Sequence, residues 1–319
     1  MRSAQAMVRC EVFMSLFAIQ ILNGLQLGLL MFMVAAGLTL VFGVMDFINL
    51  AHGVQYMIGA YLAAVMIALT GHYVVGLVLA LIGVLLIGLL LEHVVFRPLY
   101  QRSHLDQVLA TFGLILFLNQ GVKMVFGASP LSVPIPSWFE GAVLLGDGIL
   151  YPLYRFVIIA AGLIMALLLW LGVEKTRIGM QVRAGASHPD MLSALGVDVR
   201  RLFMLIFALG SVLAGFAGAL AAPILSVEPG MGDQILILAF VVIVIGGIGS
   251  IRGAFAGALL VGLIDTLARS YMVDVLRLFT GAAAARGIAN GLSSMFIYIL
   301  MAIVLFLRPQ GLFPARGRS

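Results

Sequence analysis

The chain has 319 residues, 63% of them hydrophobic and only 10% charged. Soluble domains carry about 25% charged residues, so the composition excludes a soluble globular protein and describes an integral membrane protein. The formal net charge of +5 would suggest nucleic acid in a soluble chain. Here the cations are nearly all Arg and stand at the ends of apolar runs, so no nucleic-acid partner is expected beyond the lipid bilayer itself.

Apolar runs predict helices over 14–44, 53–70, 74–95, 105–126, 152–172, 202–222, 234–248, 254–272 and 293–307. Most approach the roughly 20 residues that cross a bilayer as a helix, whereas outer-membrane strands would alternate in short segments. The expected fold is therefore all-α, a polytopic helical membrane protein with eight to nine spans. Arg2 and Arg9 precede the first run, but apolar character continues from Val12 to Val44 with no cleavage site, so this span is expected to be retained. Cys10 is the single cysteine, which excludes an internal disulfide framework. The expected division is an N-terminal tail over 1–13, one transmembrane domain over 14–308 and a C-terminal tail over 309–319.

The connecting segments separate by charge. Segment 96–104 carries Arg97 and Arg102, segment 173–201 carries Lys175, Arg177, Arg183, Arg200 and Arg201, and the tail carries Arg308, Arg316 and Arg318. Segments 127–150 and 223–233 have no Lys or Arg, only Glu140, Asp147, Glu228 and Asp233. The basic set is expected on the cytoplasmic side, with the C-terminus. Segment 127–150 (Pro130, Pro134, Pro136, Trp138) cannot be helical throughout and reads as an outer loop. Segment 273–292 reads as a second outer loop with a short surface helix.

The stretch from Thr39 to Tyr61 sets Asp46, Asn49, His52 and Gln55 between two apolar runs, with Gly43, Gly53 and Gly59 loosening the backbone. Hydrocarbon neither bonds a peptide nor solvates a carboxylate, so these four lead the candidates for a translocation path. The alternative is that Asp46 and His52 cap helix ends at the cytoplasmic boundary. Gln20 and Asn23, with Gln26, recur at helical spacing in the first span and face either a conduit or a neighbouring helix. Asn119, Gln120 and Asp265 read as single packing residues, and Glu92 and His93 as interfacial. No His-Glu-x-x-His, Gly-x-Ser-x-Gly or paired cysteine occurs, so no catalytic residue, metal or cofactor is expected.

Segment 173–201 has its own logic. Ser187 is placed to cap a short helix with Pro189 and Asp190 in its first turn, Gly196 to stop it, and Met191, Leu192 and Leu195 to form one apolar face. About eight residues of isolated helix are marginal in water, so that face needs a support: its own bundle, the membrane surface or a partner's groove. A Gly-rich stretch, Ile245-Gly-Gly-Ile-Gly-Ser-Ile-Arg-Gly253, lacks the Gly-Lys-Ser/Thr ending of a phosphate loop and reads as an inner turn or part of a gate. The breaks at 43–53 and 246–253 each precede a Gly-spaced helix, the pattern that paired interrupted segments make in transporter repeats. Small residues at four-residue spacing (Gly24/Gly28, Gly210/Ala214/Gly218, Gly253/Gly257) predict close helix seams, within the chain or against a second subunit.

The run Arg183-Ala184-Gly-Ala, followed by Met191, Leu195-Gly196-Val and Asp198, resembles the coupling-loop signature of ABC importer permeases. With Ile48-Asn-Leu-Ala-His-Gly53 and Gly246-Gly-Ile-Gly-Ser-Ile-Arg-Gly-Ala-Phe-Ala-Gly257, it resembles the branched-chain amino acid permease family of LivH type over essentially 15–310. The resemblance implies that Arg183, Ala184, Ser187, Asp190, Met191, Leu192, Leu195 and Gly196 contact an ATPase. It also implies an inner-membrane complex with a second, LivM-type permease, two cytoplasmic ABC ATPase subunits and an extracytoplasmic binding protein. The cargo it implies is a branched-chain or related hydrophobic amino acid, with urea or short amides as the alternative. An ion-coupled secondary transporter is the competing class, and it would need ionisable residues such as Asp265 and Asp46 at mid-membrane.

Overall fold

A computed structural model describes residues 2–145, 149–187 and 189–313, with the side chains of 2–13, 189–190, 282–283 and 290 outside the description. Among the described residues, seven helices are long and apolar enough to span a bilayer, and two shorter apolar ones accompany them. In chain order the α-helices, with two short ones (α6 and α7) besides these nine, are α1 (Arg2–Met45), α2 (His52–Thr70), α3 (Tyr73–Leu91), α4 (His104–Phe126), α5 (Leu153–Lys175), α6 (Arg177–Ser187), α7 (Pro189–Ala194), α8 (Val199–Ala221), α9 (Met231–Gly246), α10 (Ile251–Arg277) and α11 (Ala282–Leu307). A hairpin of β1 (Ala142–Leu145) and β2 (Ile149–Pro152) precedes α5.

Helix ends follow local chemistry. Ser103 accepts from the Asp106 N–H and donates to its carboxylate, so α4 starts on a reciprocal cap. Asp198 caps α8 through the Arg201 N–H, and Ser250 caps α10 through the Gly253 N–H. Gly71, at φ +67°, ends α2.

The helices shuttle between two rims. Segments 46–51, 92–103, 176–198, 247–250 and 308–313 meet on one of them, here the α7 rim: Ile48 N–H donates to Gln107, Arg252 pairs with Glu174 at 2.7 Å, and Leu312 N–H donates to the Ile245 carbonyl. The opposite, hairpin rim joins 127–152 to 222–230 through a two-residue β-bridge between Leu131 and Val227. There the Tyr73 and Tyr154 hydroxyls bond at 2.7 Å, and Tyr154 donates to the Leu220 carbonyl.

Small residues decide which helices form the core. Lipid is as apolar as Leu, so helices associate where backbones approach closely. A Cβ on Gly28 would lie 2.8 Å from the Ala258 carbonyl, locking α1 to α10, and one on Gly218 would lie 2.0 Å from the Tyr56 carbonyl, locking α8 to α2. These seams are used within the chain. In their most apolar stretches α1 is 83% buried inside the protein and α4 only 11%, so α3, α4 and α5 form an outer layer around α1, α2 and α8.

Three expectations change. The first helix begins at Arg2, not residue 14, and is continuous with the expected tail. Segment 273–292 is not a loop: α10 runs on to Arg277 and α11 begins at Ala282, leaving a four-residue turn over 278–281. The Pro-rich outer segment, expected only as irregular, contains the β1–β2 hairpin.

Candidate coupling surface and transport seam

Segment 173–201 folds as two helices, not one. Thr176 accepts from the Gly179 N–H and starts α6, which turns Gly179, Val182 and Gly185 inward. Gly179 is required there, because a Cβ would lie 2.2 Å from the Val173 carbonyl. The Arg183 guanidinium donates to that same carbonyl, which holds α6 against the end of α5. Ala184 is exposed.

Ser187 closes α6 and its hydroxyl donates to the Arg183 carbonyl, while His188, next before α7, lies outside the described residues. The side chain of Asp190 lies outside the described residues. Gly196 stops α7 as expected, at φ +84°. The expected apolar face divides. Leu192 is 6% exposed, and its methyl shares a pocket with Leu202 and Val44 beside Gly185, so it anchors α7 to its own bundle. Met191 and Leu195, one turn apart, are 64% and 77% exposed. Ile178 and Met180 on α6 are also exposed apolar side chains, and the sequence reading did not single them out. Behind α7 opens a cleft of about 950 Å³, lined by Asp46, Arg97, Tyr100, Arg200 and Phe203 among others.

The first polar break divides as well. Asp46 adopts φ +50° and lies at the rim of that cleft, with a carboxylate oxygen 3.7 Å from His104 Nε2. Asn49, His52 and Gln55 are instead buried inside the chain. His52 Nε2 donates to the Val34 carbonyl at 3.1 Å, since a carbonyl only accepts, leaving Nδ1 without a partner. The ring edge fills the space where a Cβ on Gly37 would stand, where α1 crosses α8. Gln55 interacts with the His52 ring, yet neither of its amide atoms nor those of Asn49 makes a well-formed hydrogen bond. Each such buried atom costs about 1–3 kcal/mol, so this seam is held by the packing around it.

Gln107 was not singled out from sequence and proves central to the break. Its side-chain oxygen accepts from Ile48 N–H, and its amide nitrogen donates to the Leu99 and Arg102 carbonyls, at 3.2–3.3 Å. Gln107→Leu is expected to cost about 2–3 kcal/mol by orphaning those backbone groups, read as a lowered melting temperature in detergent. Nearby, Glu92 is fully buried in a π-helical turn over Glu92–Phe96 and accepts from Tyr100 at 2.9 Å. Burial and then the Glu92 carboxylate push the Tyr100 phenol up, which keeps it a donor.

Gln20 and Asn23 belong to neither set. The Asn23 oxygen accepts from Arg155 and from Tyr151, and its amide donates to Gln20, so the pair ties α1 to the hairpin rim. The six path candidates thus occupy three places: Asp46 at the cleft, Asn49, His52 and Gln55 in the interior, and Gln20 with Asn23 on the far side. Asp265 is held by Arg269 at 2.9 Å. The second break turns on Gly247 and Gly249, both at positive φ, and meets the first: a Cβ on Gly43 would lie 2.7 Å from the Gly249 Cα.

Residues 20–305 match the family described as branched-chain amino acid transport system / permease component. The chain is 29% identical over 305 residues to the high-affinity branched-chain amino acid transport system permease protein BraD of Pseudomonas aeruginosa, covering 92% of this chain and 94% of that one. It is 32% identical over 270 residues to the LivH permease proteins of Salmonella typhimurium and Escherichia coli, covering 80% of this chain and 87% of each of those. A shorter match, 36% over 107 residues and 31% of the chain, reaches the fructose import permease protein FrcC of Rhizobium meliloti. No solved structure matches the chain. With the family matched along most of its length and a helical bundle built for the bilayer, this chain belongs to the permease components of branched-chain amino acid transport systems.

Proposed function

We propose that the protein is a permease subunit of an ATP-driven importer in the inner (plasma) membrane, moving branched-chain or related hydrophobic amino acids and hydrolysing nothing itself. A second permease, two cytoplasmic ATPase subunits and an extracytoplasmic binding protein complete the machine. The α7 rim, with segment 173–201 and the C-terminal tail, faces the cytoplasm, and the membrane domain spans 14–308.

The observation that carries this reading is the exposed pair Met191 and Leu195 on a two-turn helix that is itself anchored by Leu192. An apolar strip on a fixed helix at a basic rim suits the groove of another polypeptide better than water. ATP-driven movement of α7 reaches the first break through the cleft that Asp46, Ser187 and Val197 share. Access then alternates by differential contacts in two states. In this reading the buried Asn49, His52 and Gln55 find partners in the other state. The ion-coupled alternative is disfavoured because Asp265 is bound by Arg269 and Asp46 lies at a rim.

The test is reconstitution in proteoliposomes. Leucine uptake is expected only when ATPase, second permease, binding protein and internal ATP are all present. Uptake by this chain alone, driven by a sodium or proton gradient, would sink the reading.

A further inference from the structure

The cleft behind α7 collects charge of both signs. Arg97 and Arg200 line it together with Asp46 and Asp198, so its lining is close to neutral in sum. Its volume of about 950 Å³ falls in the range of small-molecule sites, about 300–1,000 Å³. Three rings fix where three of those charges stand. Tyr100 meets Phe47 with ring centroids 5.8 Å apart and Phe203 with centroids 5.6 Å apart. Asp46 directly precedes Phe47, Arg97 lies one turn before Tyr100, and Arg200 lies one turn before Phe203 on α8. One acid and two guanidinium groups thus surround a single aromatic cluster.

These charges differ in how far they are already used. Asp198 is bound by Arg201 at 2.9 Å and caps α8. Arg97 meets the His93 ring at 3.2 Å, but its Nε stands 3.7 Å from Glu92 and has no hydrogen-bond partner. Arg200 is exposed and makes no hydrogen bond or ion pair with the described residues. Asp46 is the one non-glycine residue at positive φ among the described residues, a strain kept at the cleft. A polyphosphate would meet Asp46, and a cation would meet both arginines. A zwitterion satisfies all three, and Val44, Val197 and Phe203 offer its side chain an apolar wall.

We propose that this cleft is a regulatory site for a free amino acid with an apolar side chain, the product of import, bound from the cytoplasmic side. Arg200 and Arg97 take its carboxylate, and Asp46 takes its ammonium group. The bound molecule ties together the end of α1, segment 92–103 and the start of α8. Only four residues, 195–198, separate α7 from α8, so the ligand opposes movement of α7 away from the bundle. It binds best to the state in which the walls are close, and by linkage it holds the transporter there. Import then slows as its product accumulates. The site rests on the importer reading, with the α7 rim in the cytoplasm, and adds feedback to it.

The experiment uses the whole transporter in proteoliposomes, with binding protein and leucine outside and ATP in the lumen. ATP hydrolysis is read with and without luminal leucine in the same preparation. Luminal leucine is expected to lower hydrolysis by the wild type about fivefold or more at saturation. Arg200→Gln is expected to raise the half-inhibitory concentration about tenfold, and Arg200→Lys less than about threefold. Leucinamide and 4-methylpentanoate, each lacking one of the two charges, are expected not to inhibit. Gln101, exposed on the cleft wall, reports occupancy independently, and does so even where Arg200→Gln fails to assemble. In a Cys10→Ser background, luminal leucine is expected to slow alkylation of Gln101→Cys about threefold or more. Hydrolysis indifferent to luminal leucine, inhibition by added inorganic phosphate at the same concentrations, or an unprotected cysteine would each overturn the site. So would equal half-inhibitory concentrations in wild type and Arg200→Gln, the result that cargo held in the conduit would give. Absence of ATP-driven uptake by the wild type with no leucine in the lumen would instead overturn the function on which the site rests.

Discussion

A carboxylate on the exposed strip of α7, by Leu195→Glu or Met191→Glu, is expected to abolish ATPase association and ATP-driven uptake while the bundle stays folded. Both side chains are well exposed in the isolated chain, so substitution removes little internal packing. In a complex they would be desolvated anchors, and burying an unpaired charge there costs about 2 kcal/mol or more, a loss of about 30-fold in affinity. Leu192→Glu is expected to behave differently: its side chain is buried against Leu202 and Val44, so the variant should lose stability before it loses binding. Co-purification of the ATPase distinguishes the cases. Wild-type yields of complex with both exposed-site variants would refute the assignment of the surface.

The second large effect concerns the crossing of α2 and α8. A Cβ on Gly59 would stand 2.2 Å from the Gly215 carbonyl oxygen and 2.4 Å from its Cα, and backbone cannot rotate out of the way as a side chain can. Gly59→Ala is therefore expected to cost about 3 kcal/mol, and Gly59→Val more, with loss of folded protein in detergent. Gly113 on α4 is the control, since nothing lies within 4 Å of its added Cβ. Gly113→Ala is expected to leave stability unchanged or to raise it by up to about 1 kcal/mol. Thermal unfolding followed by size-exclusion chromatography measures both, and equal melting temperatures for Gly59→Ala and Gly113→Ala would contradict the close-crossing account.

The spans were legible because bilayer thickness imposes a length and a composition that a run such as 105–126 cannot hide; α4 starts one residue earlier and ends where expected. The stop at Gly196 follows from a backbone rule that acts within a few residues. What sequence could not supply is direction in space. Met191, Leu192 and Leu195 share a helix face on paper, but the bundle claims one of them, because Gly185 leaves a hole that Leu192 fills. Asp46 and His52 stand six residues apart, yet the positive φ at Asp46 turns the chain so that one lies at the cleft and the other in the core. Gln107 was invisible for a different reason: its partners at Ile48, Leu99 and Arg102 are backbone groups, which carry no residue-type signal. Asn119 read as a single because Asp233, its partner, is 114 residues away.

Site-directed cross-linking tests the coupling surface most directly. With the single native cysteine replaced (Cys10→Ser), a cysteine is placed at Leu195 and, as the control, at Met124, which is 81% exposed near the hairpin-rim end of α4. In the active transporter Leu195→Cys should cross-link to the ATPase subunit and Met124→Cys should not. An uptake-competent complex in which Leu195→Cys never reaches the ATPase, or reaches it no better than Met124→Cys, would contradict the account.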